Sequence, residues 1–215
     1  MRNNRKRAKK VIRILDKAYA DAPMTYLVHN NPFEMLIATI LSANTADICI
    51  NQITPALFEK YPDAHSMANA RIENLIDLIR LCGTYNKKSV FIRNTARMIV
   101  DRHSGRVPMT MNELIEFPGV SRKTANVVLS VVYGINEGVV VDTHVMRVTR
   151  RLGLTEEEKN RVRAERNLME LLPQDQWYEY ARLIGAHGRR TCSARKPRCD
   201  ECSVKGLCPT AGQWI

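Results

Sequence analysis

Three groups of residues in this chain have types and spacings that could do chemistry. The first is Phe117-Pro118-Gly119-Val120-Ser121-Arg122-Lys123-Thr124-Ala125. It predicts two helices joined by a turn too short for anything but a hairpin, with Pro118 and Gly119 supplying the backbone angles. The second helix is expected to start at about Arg122. Its first N–H groups, added to those of Val120 and Ser121, would then form a pocket of donors at the positive end of the helix dipole. Such a pocket suits an anion, a phosphate in particular. Two cations in that first turn oppose the dipole, at roughly 0.3–1 kcal/mol each when exposed. Either Arg122 and Lys123 wait for phosphate, or the positive helix end favours the neutral amine of Lys123 and makes it a nucleophile able to form a Schiff base.

The second group is Val139-Val140-Val141-Asp142-Thr143-His144, a short buried extended run followed by a helix start with Asp142 in N-cap position. An Asp there commonly only caps. It can also stabilise positive charge on a sugar as a base departs, as carboxylates do in glycoside cleavage.

The third is Cys192-x6-Cys199-x2-Cys202-x5-Cys208, four thiols within seventeen residues. That is enough to bind one metal centre through a closed loop. Spacing alone leaves zinc open beside an iron–sulfur cluster, although zinc sites usually show two Cys-x2-Cys knuckles and here there is one. Arg189, Arg190, Arg195, Lys196, Arg198 and Lys205 surround these cysteines, so an ordered loop would hold cations against a polyanion. Cys49 and Cys82 lie alone in apolar helical patterns and are expected in the core.

The elements that must position these groups are helices. Apolar residues recur at helical spacing almost everywhere, with no sustained period-two alternation, which makes the chain all-α. Val11, Ile12, Leu15 and Tyr19 line a first helix. Asn31 caps a second, with Pro32 at its first position, and Phe33 to Leu41 is apolar on most faces, as a buried central helix would be. Further stripes run through Ile48, Ile53 and Leu57, through Ile72, Leu75, Ile76 and Ile79, and through Val90, Phe91, Thr95 and Ile99. Thr110 and Glu113 have capping-box spacing before a short helix through Glu116, and Thr155 and Glu158 repeat that signal. Trp177, Tyr180, Leu183 and Ile184 carry a last helix.

With 215 residues the chain can form one compact unit or two small lobes. The net charge of +11 favours a polyanionic partner, with nucleic acid first. No run approaches the roughly 20 apolar residues that span a bilayer. The basic start (Arg5, Lys6, Arg7, Lys9, Lys10) leads into a stretch broken by Arg13, unlike a signal peptide. An intracellular place, in cytoplasm or nucleoid, is expected.

Taken together, residues 117–128, Val141-Asp142-Thr143-His144, Leu41-Ser42-Ala43-Asn44-Thr45-Ala46-Asp47 and the terminal cysteines resemble the endonuclease III family of helix-hairpin-helix DNA glycosylases. The resemblance runs in unbroken order from about Asn31 to Cys208. It implies two helical lobes with the active-site cleft between them. A six-helix bundle over 23–133 would carry the helix-hairpin-helix at about 110–133. An iron–sulfur domain would comprise 1–22 and 134–215, with its cluster loop at 192–208.

By position, Lys123 matches the family's catalytic lysine and Asp142 its catalytic aspartate, while Glu116 and His144 match residues lining the site. The four cysteines match the ligands of a [4Fe–4S] cluster. The DNA contacts implied are Asn44, Thr84, Gly119, Val120, Ser121, Arg122, Arg195, Lys196 and Arg198. Three of these positions depart from the family pattern. Asn44 is shorter than the usual Gln that fills the hole left by a flipped base, Thr84 stands where many members place an intercalating apolar residue, and Ser121 replaces the usual second hairpin glycine.

The implied activity is bifunctional: a monomer binds duplex DNA carrying a damaged base or abasic site, extrudes an oxidised pyrimidine, releases it and nicks by β-elimination through a lysine Schiff base. A monofunctional glycosylase for uracil or mismatched thymine is the alternative, and Lys123 argues against it. The seven residues after Cys208 leave no room for the extra domain of adenine-mismatch relatives. A non-catalytic, metal-stabilised DNA-binding module would keep the charge, hairpin and cysteines but have no use for Lys123 with Asp142.

Overall fold

A computed structural model describes residues 2–213, Arg2 through its backbone only. Among the described residues there are helices and turns but no strand. The helices are α1 (Arg2–Ala18), α2 (Pro32–Leu41), α3 (Asp47–Lys60), α4 (Ala64–Ala68), α5 (Ile72–Ile79), α6 (Tyr85–His103), α7 (Met111–Leu114), α8 (Arg122–Tyr133), α9 (Thr143–Arg151), α10 (Arg161–Leu171) and α11 (Trp177–Arg190). None is long and apolar enough to cross a membrane. The chain divides into two compact units: Thr25–Ile135, and the described part of Met1–Met24 with Asn136–Ile215.

In the Thr25–Ile135 unit, α2 is the centre. Asn31 caps it, accepting from the Glu34 N–H at 2.9 Å, and the Glu34 carboxylate reaches back to the Asn30 N–H at 2.7 Å. Every residue from Phe33 to Leu41 is buried. Met35, Leu36, Ile37, Ile40 and Leu41 are each removed from water, worth about 1.5–3 kcal/mol apiece. Helices α3, α6 and α8 pack round α2, and α6 also carries α4 and α5.

Several sequence expectations shift here. Helix α4 has no counterpart among them, although Asp63 and Ser66 form a reciprocal capping box that marks its start. The helix after Thr110 stops at Leu114 instead of running through Glu116. Ile48, expected in the α3 stripe, is exposed, and so is Val90 on α6. Cys82 is buried as expected, and Cys49 is half-buried.

The other unit packs α1 and α9 against α11. Its core is built from Val11 and Leu15, from Val145 and Val148, and from Tyr180, Leu183 and Ile184. Gly188 lets α9 and α11 approach closely, since a Cβ there would come within 2.9 Å of His144 Cβ. The buried Tyr180 hydroxyl is satisfied by Thr149 Oγ1 at 2.8 Å. Val139 and Val141 are buried in the loop before Asp142. Helix α10 is capped by Asn160, which accepts from the Arg163 N–H at 3.0 Å. Thr155 instead turns its hydroxyl to the Glu157 N–H at 3.2 Å, so the second capping-box signal marks a turn and not a helix start.

Candidate functional site

The hairpin closes as its sequence requires. Gly119 has φ +81, a conformation natural to glycine, and a Cβ there would strike Phe91 Cδ2 at 2.6 Å. Thr95 Oγ1 on α6 donates to Pro118 O at 3.3 Å. Two of the expected pocket donors are used within the turn. The Val120 N–H donates to Phe117 O at 3.0 Å, and Val120 itself is buried. The Thr124 N–H goes to Ser121 Oγ at 3.3 Å. Those two donors are therefore spent inside the hairpin, while the Arg122 and Lys123 side chains are exposed in the first turn of α8.

Ser121, which stands where a glycine is usual, has φ −88 and ψ 166, extended backbone without strain. It serves as the α8 N-cap, a task glycine performs less well. Glu116 lies outside any helix and pairs with Arg102 at 3.3 Å on the surface.

Asn44 and Thr84 both adopt left-handed backbone, with φ 55 and φ 58. Asn tolerates that region through its short polar side chain, whereas β-branched Thr does so at a cost. The Thr84 hydroxyl folds back onto Gly83 O at 2.7 Å.

In the other unit, Asp142 caps α9. Its Oδ1 accepts from the Val145 N–H at 2.7 Å, and Oδ2 faces Arg189 Nη2 of α11 at 3.6 Å. One carboxylate is thus held by a backbone donor and a guanidinium, which fixes its orientation. His144 Nδ1 lies 3.3 Å from Arg147 Nη2. Burial holds the His144 imidazole below its ordinary titration range and the Arg189 and Arg147 cations act the same way, while the Asp142 carboxylate and Gly188 backbone oppose them.

Helix α9 also ends in the cysteine loop. The Arg147 guanidinium donates to Gly188 O at 2.8 Å and Cys192 O at 2.9 Å. Arg151 donates to Ser193 O at 2.7 Å and Ala194 O at 2.9 Å, and its own carbonyl accepts from Thr210 at 3.1 Å. These two arginines are structural ligands of the loop that the sequence did not single out; their signal was the four-residue spacing on one helix face.

Cys192, Cys199, Cys202 and Cys208 all line one cavity, with Val148, Leu152 and Val204 as its apolar wall. None is in a disulfide. Among the described residues, no three His, Cys, Asp or Glu side chains lie close enough to hold a single ion. Burial pushes the Cys202 thiol up, the Val204 backbone works against this, and the other three thiols reinforce it. A bound cationic centre reverses that preference. The donor set fits an iron–sulfur cluster.

The six cations near the loop have different fates. Arg190 pairs with Asp21 at 2.7 Å, Arg198 with Glu201 at 3.0 Å, Lys205 with Asp200 at 2.7 Å, and Arg189 with Asp142. Arg195 and Lys196 are exposed at the loop's tip.

Comparison with known proteins agrees with this geometry. Residues 37–174 match the HhH-GPD superfamily base excision DNA repair protein family, and residues 192–208 match the iron-sulfur binding domain of endonuclease III. Endonuclease III of Synechocystis sp. is 44% identical over 98% of this chain and 95% of its own length. The Escherichia coli enzyme is 37% identical over 86% and 87%. Two solved endonuclease III–DNA structures, a non-covalent complex and a trapped covalent intermediate, superpose with TM-score 0.91 over 97% of both chains at 36% and 37% identity. A thermostable thymine-DNA glycosylase shares the fold, with TM-score 0.84 at 20% identity. With a capped hairpin helix and a four-thiol cavity in place, and relatives matched across nearly its whole length, the chain belongs to the endonuclease III family of base-excision DNA repair enzymes, DNA glycosylase and AP lyase in one.

Proposed function

We propose that the chain removes oxidised pyrimidines from duplex DNA as a monomer, with Lys123 as nucleophile and Asp142 as the carboxylate partner. The neutral Lys123 amine attacks C1′ of an extruded nucleotide, and the C1′–N bond to the base breaks as the base leaves with a proton. Ring opening of the sugar gives an imine between Lys123 and C1′. That imine acidifies the C2′ proton, whose loss expels the 3′ phosphate, and water returns Lys123 by hydrolysis. Asp142 supports positive charge developing at C1′ and accepts or returns a proton at its carboxylate.

The single observation behind this reading is Lys123 exposed in the first turn of α8, directly after the capped hairpin. Its position in the motif is that of the family's lysine. Glu116 and His144 are assigned to the lining of the site.

We assign Cys192, Cys199, Cys202 and Cys208 as ligands of a [4Fe–4S] cluster. Bound there, it supplies order: it fixes the loop so that Arg195, Lys196 and Arg198 meet DNA phosphates. Gly119, Ser121 and Arg122 take another phosphate at the hairpin, and Val120 supports that turn by packing.

Borohydride trapping tests the assignment. Thymine-glycol or abasic duplex should yield a covalent adduct with the wild-type protein and none with Lys123→Gln. An intact protein that releases base but forms no adduct would show a water-using, monofunctional glycosylase instead.

A further inference from the structure

The ends of two helices meet beside the cysteine cavity. Tyr19 follows directly on α1 and Thr191 directly on α11, both in the unit that carries the cysteine loop. The Tyr19 hydroxyl lies 2.8 Å from His187 Nδ1 and 2.8 Å from Thr191 Oγ1. On the other edge of the imidazole, His187 Nε2 lies 3.7 Å from Cys202 Sγ. His187 lines the same cavity as the four cysteines. It is 2% exposed and Tyr19 7%, so neither ring can trade these partners for bulk water.

The partners decide where each hydrogen sits. A cysteine binds a metal centre as thiolate, which accepts hydrogen bonds and donates none. Nε2 of His187 then carries the proton. In a neutral imidazole this leaves Nδ1 as acceptor, so the Tyr19 hydroxyl donates to it. That hydroxyl has one proton, and the Thr191 hydroxyl therefore donates to the Tyr19 oxygen. The chain runs one way, from Thr191 through Tyr19 and His187 to Cys202.

The surroundings hold this chain in place. The His187 carbonyl accepts from the Thr191 N–H at 2.9 Å and the Cys192 N–H at 2.8 Å. One residue thus grips the first cysteine by its backbone and the third by its ring. The Arg190 guanidinium covers the Tyr19 ring, 5.6 Å from its centroid, and pairs with Asp21. Packing of α1 on α11 would account for the two rings, whose centroids are 5.7 Å apart, but not for an N–H directed at a sulfur.

We propose that Tyr19 and Thr191 fix the tautomer of His187 so that its Nε2–H rests on the Cys202 thiolate and raises the reduction potential of the cluster. All three are positioning residues, and the proposal rests on the assignment of Cys202 as a cluster ligand. Uptake of one electron makes the cluster and its sulfurs more negative. A donor aimed at one sulfur stabilises that added charge, and hydrogen bonds to sulfur are among the means by which a protein sets such potentials.

The test is a mediator redox titration of the cluster-loaded full chain, followed by electron paramagnetic resonance, with iron content and visible absorption measured on each variant. His187→Phe should shift the one-electron equilibrium about tenfold toward the oxidised form, a potential about 59 mV lower. Tyr19→Phe, which keeps both rings and removes the hydroxyl that fixes the tautomer, should shift it about threefold the same way. His187→Gln should recover most of the loss, because its amide can place an N–H near the position of Nε2. Tyr180→Phe removes the other buried tyrosine hydroxyl bond of this unit, to Thr149, away from the cavity. It should lower stability and leave the potential unchanged. A fully loaded Tyr19→Phe or His187→Phe protein at the wild-type potential overturns the chain, and so does Tyr180→Phe moving the potential as far as Tyr19→Phe. Should His187→Phe fail to hold iron, Tyr19→Phe decides. A Cys202→Ala protein that keeps a full cluster overturns the ligand assignment itself.

Discussion

Gly119 and Phe91 are in contact so close that one methyl group between them cannot fit: a Cβ at 119 would sit 2.6 Å from the ring's Cδ2. This contact sets the hairpin on α6 and therefore sets the start of α8. Two separable costs attach to adding a side chain, a backbone cost at φ +81 and the clash with the ring. Gly119→Ala should destabilise the protein by about 2–5 kcal/mol, the sum of a left-handed alanine and an overpacked contact. Pairing it with Phe91→Leu should recover only the clash part. Urea unfolding of the single and double variants measures both.

Asp142 caps α9 and, in the proposed reaction, also has a chemical task, and the isosteric change separates the two. Asn caps as well as Asp does, so Asp142→Asn should change stability by less than about 1 kcal/mol, whereas Asp142→Ala should lose about 0.5–2 kcal/mol. Base release should fall about a hundredfold or more in both variants, as for loss of a preorganised electrostatic group. Thermal unfolding with single-turnover kinetics distinguishes the outcomes. An Asp142→Asn protein that releases base normally would leave residue 142 as a cap alone.

His144 gives the protein a sensitivity to acid. An unperturbed histidine titrates near 6.5, and burial keeps His144 below that in the folded chain. On acidification the unfolded state therefore takes up the proton first. The stabilisation is complete above about pH 6.5 and is lost as pH falls through the lower folded value. His144→Gln should show a flatter decline of unfolding free energy over that range than wild type, the buried His187 being common to both proteins. Identical slopes would mean that His144 is as easily protonated folded as unfolded.

Ser104 ends α6 with φ 51, where glycine is the usual residue. Ser104→Gly should raise stability by about 0.5–1 kcal/mol, read as a higher denaturation midpoint without loss of activity.

Removing iron should act locally. Chelation under reducing conditions is expected to speed amide hydrogen exchange in 192–210 and along α9, whose Arg147 and Arg151 hold the loop's carbonyls. Amides of the Thr25–Ile135 core should keep their protection, because that unit has its own hydrophobic cluster.

Much of the fold was legible because local signals stated it directly. The Asn31-Pro32 start of α2, the unbroken apolar run behind it and the Ser121-Arg122 start of α8 all reappear in the structure. The cysteine spacing was equally plain, and the matched family identifies its cofactor. Periodicity failed where it could not tell a stripe that is covered from one that is not: Ile48 and Val90 have core chemistry and lie in solvent. Thr155 misled because its hydroxyl can serve a turn as well as a helix start: it accepts from the Glu157 N–H, and Asn160 caps the helix that follows. Lys88 carried no local sign at all. A buried lysine is recognised only from its acceptors, and these lie more than forty positions away in the chain.

Helix α9 is nine residues long, about 13 Å, with Asp142 at its head and Arg151 among the cysteines at its foot. So short a rod cannot shift at one end and stay put at the other. A molecule stripped of its iron should accordingly lose the footing of its carboxylate along with the grip on phosphate proposed for the loop, and end as a silent protein instead of an unguided nuclease.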